Sequence, residues 1–284
     1  MGRPTGLNHL LSNHYCNLPI YVATLAGLSA PFAWNYFLRQ LMPTASVGGP
    51  HYTGTNFNCD RYTTGNLLYG LNFTGDLYIY GMDCTHLVGT NGALTDGANQ
   101  VSTTLYDRLW HCSGFSYLTS GVQTIPTPGI LPARDMYKTS SGIGCEIWVE
   151  SFSQPSTLTF TTTVTYTDHL GNTGITGQMI NNLTNFVSGS CKQLTMPQNG
   201  VSSIQSVQLS TTGAISGNFG LFIMNRICEL PNFIGYAKNI SAPLLYFGIN
   251  ALNSGCYSIV SNSLFHSIGA SINPGIYNFK LAQL

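Results

Sequence analysis

Large apolar side chains and threonines alternate from Thr157 to Thr167, a segment that reads TLTFTTTVTYT. Successive side chains of an extended strand point to opposite faces, so this spacing predicts a strand with two different surfaces. One surface comprises Leu158, Phe160, Thr162, Val164 and Tyr166, and the other comprises Thr159, Thr161, Thr163 and Thr165. We expect the first surface to face a core. The second is a neutral hydroxyl surface, which we expect another strand, domain or subunit to cover.

Four other short segments rich in β-branched and aromatic residues also predict strands. They are Gly75–Gly81, Gly144–Glu150, Ser202–Ser210 and Gly217–Arg226. Glycine, proline, serine and asparagine separate these segments, and TDHLGNTG after the threonine-rich strand predicts a reverse turn. No long helical pattern alternates with them. The chain is therefore predicted to be mainly β, with an antiparallel β-sandwich or jelly-roll-like fold.

The N-terminal segment differs from this pattern. In SAPFAWNYFLRQLMP, Ser29 is a suitable helix N-cap and Pro43 a suitable stop. Apolar side chains recur at helical spacing, which predicts a short helix with one apolar stripe. They are Trp34, Phe37, Leu38 and Leu41. The stripe would pack on its own domain or reach onto a neighbouring subunit.

These patterns predict the organisation of the chain. We expect a partly helical N-terminal arm over residues 1–45 and a β-sandwich body over residues 46–284. The body either forms one unit or divides into two subdomains, 46–140 and 141–284. A chain of 284 residues is long enough to bury a substantial core.

The composition is unusual in its low fraction of charged residues. Hydrophobic residues make up 43% of the chain, but charged residues only 7%, against roughly a quarter in ordinary soluble proteins. Ten basic and ten acidic residues cancel, and no basic run occurs, so nucleic acid and anionic membranes are not expected partners. Neutral hydroxyl and amide groups cost less to desolvate than charged groups. The composition therefore favours a protein that is packed against neighbours, or a secreted neutral β-protein.

Neither secretion nor membrane insertion is predicted from the N-terminus. Residues 1–31 lack a basic start, an uninterrupted apolar core and a small-residue cleavage site. The apolar stretch Ile20–Leu28 is too short to span a bilayer.

Eight cysteines are widely spaced, and none belongs to a C-x-x-C pair, so a zinc ribbon or a redox motif is not predicted. An even number would allow four disulfides, but sequence cannot choose the pairing. Cys145 and Cys228 lie within apolar strand-like segments, where a free thiol behaves as a small core residue. We expect mostly reduced, buried cysteines.

Asp83, Cys84 and His86 lie close together, and in a strand Cys84 and His86 would share a face. A Cys–His dyad or part of a metal site is one interpretation. A core cysteine beside a surface histidine is the other, and it is the one we expect. The seven histidines contain no H-x-x-x-H pair for a metal.

Glu146 and Glu150 would lie on one face of a predicted strand, as paired carboxylates do in glycoside hydrolases. Alternatively they pair with Arg134 or Lys138, or contact solvent. No nucleophile motif, P-loop or dinucleotide-binding glycine pattern occurs. We therefore predict no catalytic, cofactor-binding or metal-binding residue, and no enzymatic activity.

Sixteen tyrosines and three tryptophans allow two interpretations. They could stack on sugars in a carbohydrate-binding module, or they could serve protein–protein interfaces, where these residues are enriched. Tyr78 and Tyr80 alternate with aliphatic residues and would share one strand face.

Four blocks of predicted turns and strands carry a family resemblance: Leu105–Ser116, Gln123–Glu150, Thr163–Gly174 and Leu194–Ile227. Together they resemble an uncharacterised group of virion structural proteins of tailed bacteriophages. The resemblance spans less than half of the chain. This chain departs from the pattern in two places. It has Asp168-His169 where the group has asparagine after Tyr-Thr, and it has additional residues between Pro132 and Tyr137.

The resemblance implies a capsid-associated protein, specifically a decoration or cement subunit, with a tail or head-fibre component as the alternative. It would be located in the virion, with the major capsid protein as partner, and would form a homo-oligomer, for which a trimer is favoured. The candidate interface residues are Trp34, Phe37, Tyr78, Tyr80, Thr159, Thr161, Thr163 and Thr165. A carbohydrate-binding module for host attachment is the rival of another class, and a hydrolase that uses the two glutamates comes third.

Overall fold

A computed structural model describes the middle of the chain and separate strands on either side of it. The described residues are 14–22, 35–38, 57–58, 77–86, 100–125, 129–135, 137, 139–152, 160–181, 190–197, 200–210, 217–233, 240–243, 249–250, 256–262 and 275–283.

The described residues form sixteen β-strands. In chain order these are β1 (His14–Val22), β2 (Asn35–Leu38), β3 (Phe57–Asn58), β4 (Leu77–His86), β5 (Gln100–Ser116), β6 (Gln123–Thr124), β7 (Cys145–Ser151), β8 (Phe160–Thr167), β9 (Ile175–Asn181), β10 (Ser190–Gln193), β11 (Ser203–Leu209), β12 (Asn218–Phe233), β13 (Ile240–Pro243), β14 (Ile249–Asn250), β15 (Cys256–Asn262) and β16 (Gly275–Gln283). No helix occurs among them, so the prediction of a mainly β protein is confirmed.

Each strand that the sequence pattern predicted is present. The threonine-rich segment forms β8, and the four other segments contribute β4, β7, β11 and β12. The turn predicted after β8 is also confirmed, since Gly171 and Gly174 there have φ values of 87° and 75°.

The predicted helix is wrong where its segment is described. Asn35–Leu38 forms strand β2, in which Tyr36 pairs with Ser190 of β10 and with Val260 of β15. Backbone pairing with two strands replaces the internal hydrogen bonds of a helix, and a tyrosine followed by a phenylalanine favours the extended form. The rest of the predicted helix, including Trp34, lies outside the described residues.

The strands form three antiparallel sheets. Their hydrogen-bonded orders are β1-β16-β4-β13 with β14 also on β4, β12-β7-β10-β2-β15-β5-β3, and β6-β11-β8-β9. Strands β1 and β2 of the predicted arm thus pair with β16 and β15 of the predicted body. The proposed division at residues 45 and 46, and the two subdomains, stay predictions.

The seven-stranded sheet closes on itself. Strand β12 pairs with β7 on one side and with β5 on the other, while β5 also pairs with β15. The order therefore runs β5-β12-β7-β10-β2-β15 and returns to β5, which makes a ring of six strands. A closed ring leaves none of its strands with an unpaired edge at the point of closure. The sequence pattern did not predict this closure.

The main core lies between one wall of this ring and the four-stranded sheet, which is the arrangement of a β-sandwich. Ile147, Leu221 and Ile223 come from the ring, and Val164 and Val207 from the four-stranded sheet; all are at most 1% exposed. Full burial of such a side chain contributes about 1.5–3 kcal/mol before entropy is subtracted. The predicted β-sandwich is confirmed for these two layers.

Alternate residues of the same wall point to the interior of the ring. They form a second buried cluster: Tyr106, Trp148, Phe152, Cys191, Phe222 and Met224. The guanidinium of Arg108 lies 3.5 Å from the centroid of the Phe222 ring, and its Nη2 lies 3.3 Å from Nδ1 of His111. The wall of the ring is therefore buried on both faces, which explains its long apolar strands.

Candidate interaction surface

Strand β8 separates a core face from a threonine face, as the sequence pattern predicts. Phe160, Thr162, Val164 and Tyr166 are buried, and the intervening Thr161, Thr163, Thr165 and Thr167 are half-buried. The first set packs against the ring. The second set lies on the opposite, outer face of the four-stranded sheet.

The strand register extends the threonine face across the sheet. Thr165 pairs with Ser206 of β11 and with Thr176 of β9, and Ser206 also pairs with Thr124 of β6. Four hydroxyl-bearing residues therefore form one row across four strands.

A second row runs parallel to the first. Thr163 pairs with Gln208 on β11 and with Gln178 on β9. Both glutamines are exposed. We call the outer surface made by these rows the hydroxyl face; it comprises Thr124, Thr161, Thr163, Thr165, Thr167, Thr176, Gln178, Ser203, Ser206 and Gln208.

The hydroxyl face is uncharged. Strands β6, β8, β9 and β11 contain no Asp, Glu, Lys, Arg or His. Threonine, serine and glutamine side chains each offer a donor and an acceptor. The face can therefore make hydrogen bonds without the desolvation cost of an ion.

The edge of this sheet at β9 is partly occupied by the chain itself. The backbone N–H of Gln178 donates to the carbonyl of Thr195 at 3.0 Å, and the N–H of Thr195 donates back to Gln178 at 2.9 Å. The opposite edge strand, β6, is two residues long. Short or covered edges resist further strand pairing, so a partner would bind across the face rather than at its edges.

A buried carboxylate fixes the turn at one end of the hydroxyl face. Oδ1 of Asp168 accepts from the backbone N–H of Leu170 at 2.8 Å and of Asn172 at 2.9 Å, and Oδ2 accepts from the Asn172 side chain at 2.8 Å. Burial alone would raise the pKa of Asp168, but these hydrogen bonds and neighbouring His169 hold it below its usual range. The turn is therefore rigid, and it presents Leu170, which is 71% exposed.

A second buried carboxylate, Asp135, organises the loop between β6 and β7. Its Oδ2 accepts hydrogen bonds from the hydroxyls of Thr139 (2.5 Å) and Ser141 (2.9 Å) and from the backbone N–H of Gly142 (3.0 Å) and Ile143 (3.3 Å). Its Oδ1 accepts from two further backbone N–H groups. Burial would raise the pKa of Asp135, but the hydrogen bonds lower it.

Residues 200–202 connect the two loops. The N–H of Val201 donates to the carbonyl of Gly142 at 2.9 Å, and the hydroxyl of Ser202 donates to the carbonyl of Asp168 at 2.9 Å. A Cβ at Gly200 would lie 2.7 Å from Nδ1 of His169. One end of the sandwich is therefore a single hydrogen-bonded unit.

Asp135 and Asp168 were not among the predicted site residues. The sequence does carry a signal for them, because an Asp followed four residues later by Thr or Asn can accept hydrogen bonds from its own turn.

The paired glutamates are held within the ring. Glu150 is fully buried between Cys191 and Gly220 on the neighbouring strands. Glu146 accepts from the indole N–H of Trp148 at 2.9 Å and also bonds the Tyr106 hydroxyl. Arg134, one expected partner of the glutamates, instead pairs with Asp107. Substrate has no access to Glu150, so this arrangement does not favour a glycoside hydrolase.

The cysteines with described side chains agree with the prediction. Cys112, Cys145 and Cys191 are buried, and Cys112 and Cys145 are free thiols. Burial raises the pKa of Cys112 to about 11 and also raises that of Cys145. Both remain protonated near neutral pH and are poor nucleophiles.

The predicted interface residues that are described lie in different strands. Thr161, Thr163 and Thr165 lie on the hydroxyl face, whereas Phe37 lies in β2 of the ring, and Tyr78 and Tyr80 lie in β4 of the five-stranded sheet. Trp34 and Thr159 lie outside the described residues. Cys84 and His86, two positions apart, are also in β4. The structure thus divides the candidates among three sheets.

Within the described ranges, no group of three or more His, Cys, Asp or Glu side chains is placed to hold a metal ion. In the same part of the chain, no helix has the length and apolarity needed to cross a membrane.

No model of a known protein family matches the chain, and no curated protein matches its sequence. Among solved structures, the chain is similar to a structure of infectious bursal disease virus, Gx strain, with 10% identity and a TM-score of 0.22 over 95% of this chain and 80% of the other. A VP2 subviral particle of infectious bursal disease virus gives 10% identity and a TM-score of 0.17 over 95% and 81%. A T=1 particle derived from infectious bursal virus gives 9% identity and a TM-score of 0.15 over 96% and 79%. TM-scores this low carry no argument about the fold or function of this chain.

Proposed function

We propose that this protein is a structural component of a virus particle, specifically a decoration or cement subunit that binds the major capsid protein. The observation that carries the proposal is the hydroxyl face, an outer sheet surface without an ionisable group. Such a surface costs less to desolvate than a charged one, which suits repeated contacts with other protein surfaces. The partial resemblance to virion proteins of tailed bacteriophages supports the same role.

The rigid loops support this proposal. Asp135 and Asp168 order their loops through many internal hydrogen bonds, and Tyr137 and Leu170 are exposed there, at 67% and 71%. Exposed large side chains on ordered loops bind partners at a low entropic cost. A cement subunit needs many modest contacts of this kind, because repetition in a lattice multiplies their effect.

The test is to find the chain in purified particles and then to remove it. We expect its peptides in density-gradient-purified virions, in a fixed ratio to the major capsid protein. Particles assembled without the chain should package their genome but release it at a lower temperature than complete particles. Absence of the chain from intact virions would contradict the structural role. Equal heat resistance with and without it would contradict the cement role.

The same particles distinguish a cement subunit from the alternative, a tail or head-fibre component. Labelled antibody would decorate the whole head if the chain is a cement subunit, and only one vertex or the tail if it is a fibre component. The carbohydrate-binding alternative has weaker support in the described residues. Of the tyrosines and tryptophans with described side chains, Tyr137 is exposed, and Tyr106, Trp110, Tyr117, Trp148 and Tyr166 are buried. Sugars stack on accessible rings.

A further inference from the structure

We propose that the hydroxyl face binds a second copy of this chain. This inference rests on the proposed structural role and names the partner of one surface. The face is the side of the four-stranded sheet that the main core does not use, since that core lies on its inner side. Its residues are half-buried along β8 and exposed at Thr124, Thr176, Gln178 and Gln208.

Charge favours a copy of the chain as the occupant. A strongly acidic or basic partner would gain no Coulomb energy from a face without ions. Two copies of this chain do not repel each other, because each has ten basic and ten acidic residues. A net charge near zero promotes self-association. Hydroxyl and amide groups both donate and accept, so such a face is chemically complementary to itself.

The size of the face sets the strength of the contact. Strand β8 has eight residues, and β9 and β11 have seven each. With strands about 4.8 Å apart and a rise of about 3.4 Å per residue, the face covers about 400 Å² in projection. An ordinary specific interface buries about 800 Å² on each partner. The contact is therefore weak for one pair of molecules and becomes effective through repetition in an assembly.

Thr163 is the position that tests the contact. It lies mid-strand, between Gln208 and Gln178 on the neighbouring strands. Thr163→Lys places a cation in the middle of the contact, where it must be desolvated and faces a neutral surface. Thr176→Lys places a cation on the same face at a more exposed residue of strand β9. Ser140→Lys is the matched control, because Ser140 is exposed and belongs to none of the strands that form the hydroxyl face.

The experiment is sedimentation equilibrium of the full-length chain over a range of concentrations. We expect the average mass of the wild type to rise above 30.7 kDa with concentration. Its association constant should change less than about threefold between about 50 mM and about 500 mM NaCl, because no ion pair forms. Thr163→Lys and Thr176→Lys should each lower the association constant at least about tenfold, and Ser140→Lys should leave it unchanged. Thermal unfolding must show that each variant is folded.

Two results would overturn the inference. One is a wild type that stays monomeric at every concentration. The other is association that neither face variant weakens more than Ser140→Lys. The proposed function is judged separately, by the presence of the chain in virions. If Thr163→Lys prevents incorporation into particles while the wild type alone is monomeric, the face binds a different virion protein, and only the present inference fails.

Discussion

Arg134 and Asp107 form a bidentate ion pair that attaches a loop to the ring. Nε of Arg134 donates to Oδ2 of Asp107 at 3.0 Å, and Nη2 donates to Oδ1 at 3.3 Å. The guanidinium also donates to the backbone carbonyl of Arg108 at 3.1 Å, and the carbonyl of Arg134 accepts from the side chain of Asn225 at 3.1 Å. The two paired side chains are only 12% and 4% exposed.

Removing this guanidinium should be costly. Arg134→Ala removes the cationic partner of the buried Asp107 carboxylate. We therefore expect the free energy of unfolding to fall by about 3–5 kcal/mol. Arg134→Lys keeps the charge but cannot form the forked contact, so its loss should be smaller but clear. Urea unfolding followed by tryptophan fluorescence measures both. A double-mutant cycle with Asp107→Asn is the control; strictly additive effects would show that the two residues do not depend on each other.

Asp135→Asn tests the loop that Asp135 organises. All the partners of this carboxylate are donors, and the amide nitrogen of asparagine would meet some of them with a donor of its own. We expect the free energy of unfolding to fall by about 2–4 kcal/mol, with faster proteolysis between β6 and β7. The Ser140→Lys variant serves as a comparison, since Ser140 is exposed in the same loop. Unchanged protease resistance in Asp135→Asn would contradict the assigned role.

The two buried aspartates predict sensitivity to acid. Hydrogen bonds outweigh burial and hold the pKa values of Asp135 and Asp168 below their ordinary value of 3.8. A carboxyl group with a lowered folded-state pKa stabilises the fold above its unfolded-state pKa. That stabilisation is lost as the pH falls below 3.8 through the folded-state value. The urea midpoint should therefore fall over this range, and it should fall less steeply in Asp135→Asn. If the urea midpoint falls equally steeply with pH in the wild type and in Asp135→Asn, Asp135 is not a cause of the acid sensitivity.

Gly142 and Gly171 allow a comparison of how much an added Cβ atom destabilises the fold at two positions. Both have positive φ values, 78° and 87°. A Cβ at Gly142 would overlap the carbonyl oxygen of Val201, whereas a Cβ at Gly171 would meet no atom within 4 Å. Gly171→Ala should cost about 1–2 kcal/mol from backbone strain alone. Gly142→Ala should cost clearly more, because the backbone of Val201 must also move away from the new Cβ, which breaks its hydrogen bond with Gly142. Equal thermal unfolding temperatures for the two variants would contradict this.

Local patterns in the sequence were sufficient for the strands of the sandwich. The alternation in β8 gave both its core face and its threonine face, because a strand repeats every two residues. Glycines after Asp168 likewise indicated the turn. These signals lie within a few residues of each other along the chain, so no knowledge of the fold is needed to read them.

Pairing between strands that are far apart in the chain could not be predicted from the sequence. The apolar spacing around Phe37 suits a helix as well as a strand, and only the pairing of β2 with β10 and β15, more than 150 residues away, decides between them. The ring closes through the pairing of β12 with β5. The ion pair of Arg134 likewise joins its loop to Asp107 of β5, 27 residues earlier in the chain. A single sequence contains no record of which distant segments meet.

The first and last described strands lie side by side. Strand β16 pairs with β1 on one side and with β4 on the other. On a ribosome, the residues of β1 and β4 emerge long before those of β16, and until then the place between them is vacant. This sheet therefore cannot form during most of synthesis. A stop codon only a few residues before Gly275 would leave two strands with unpaired backbone groups, and such a product should aggregate or be degraded.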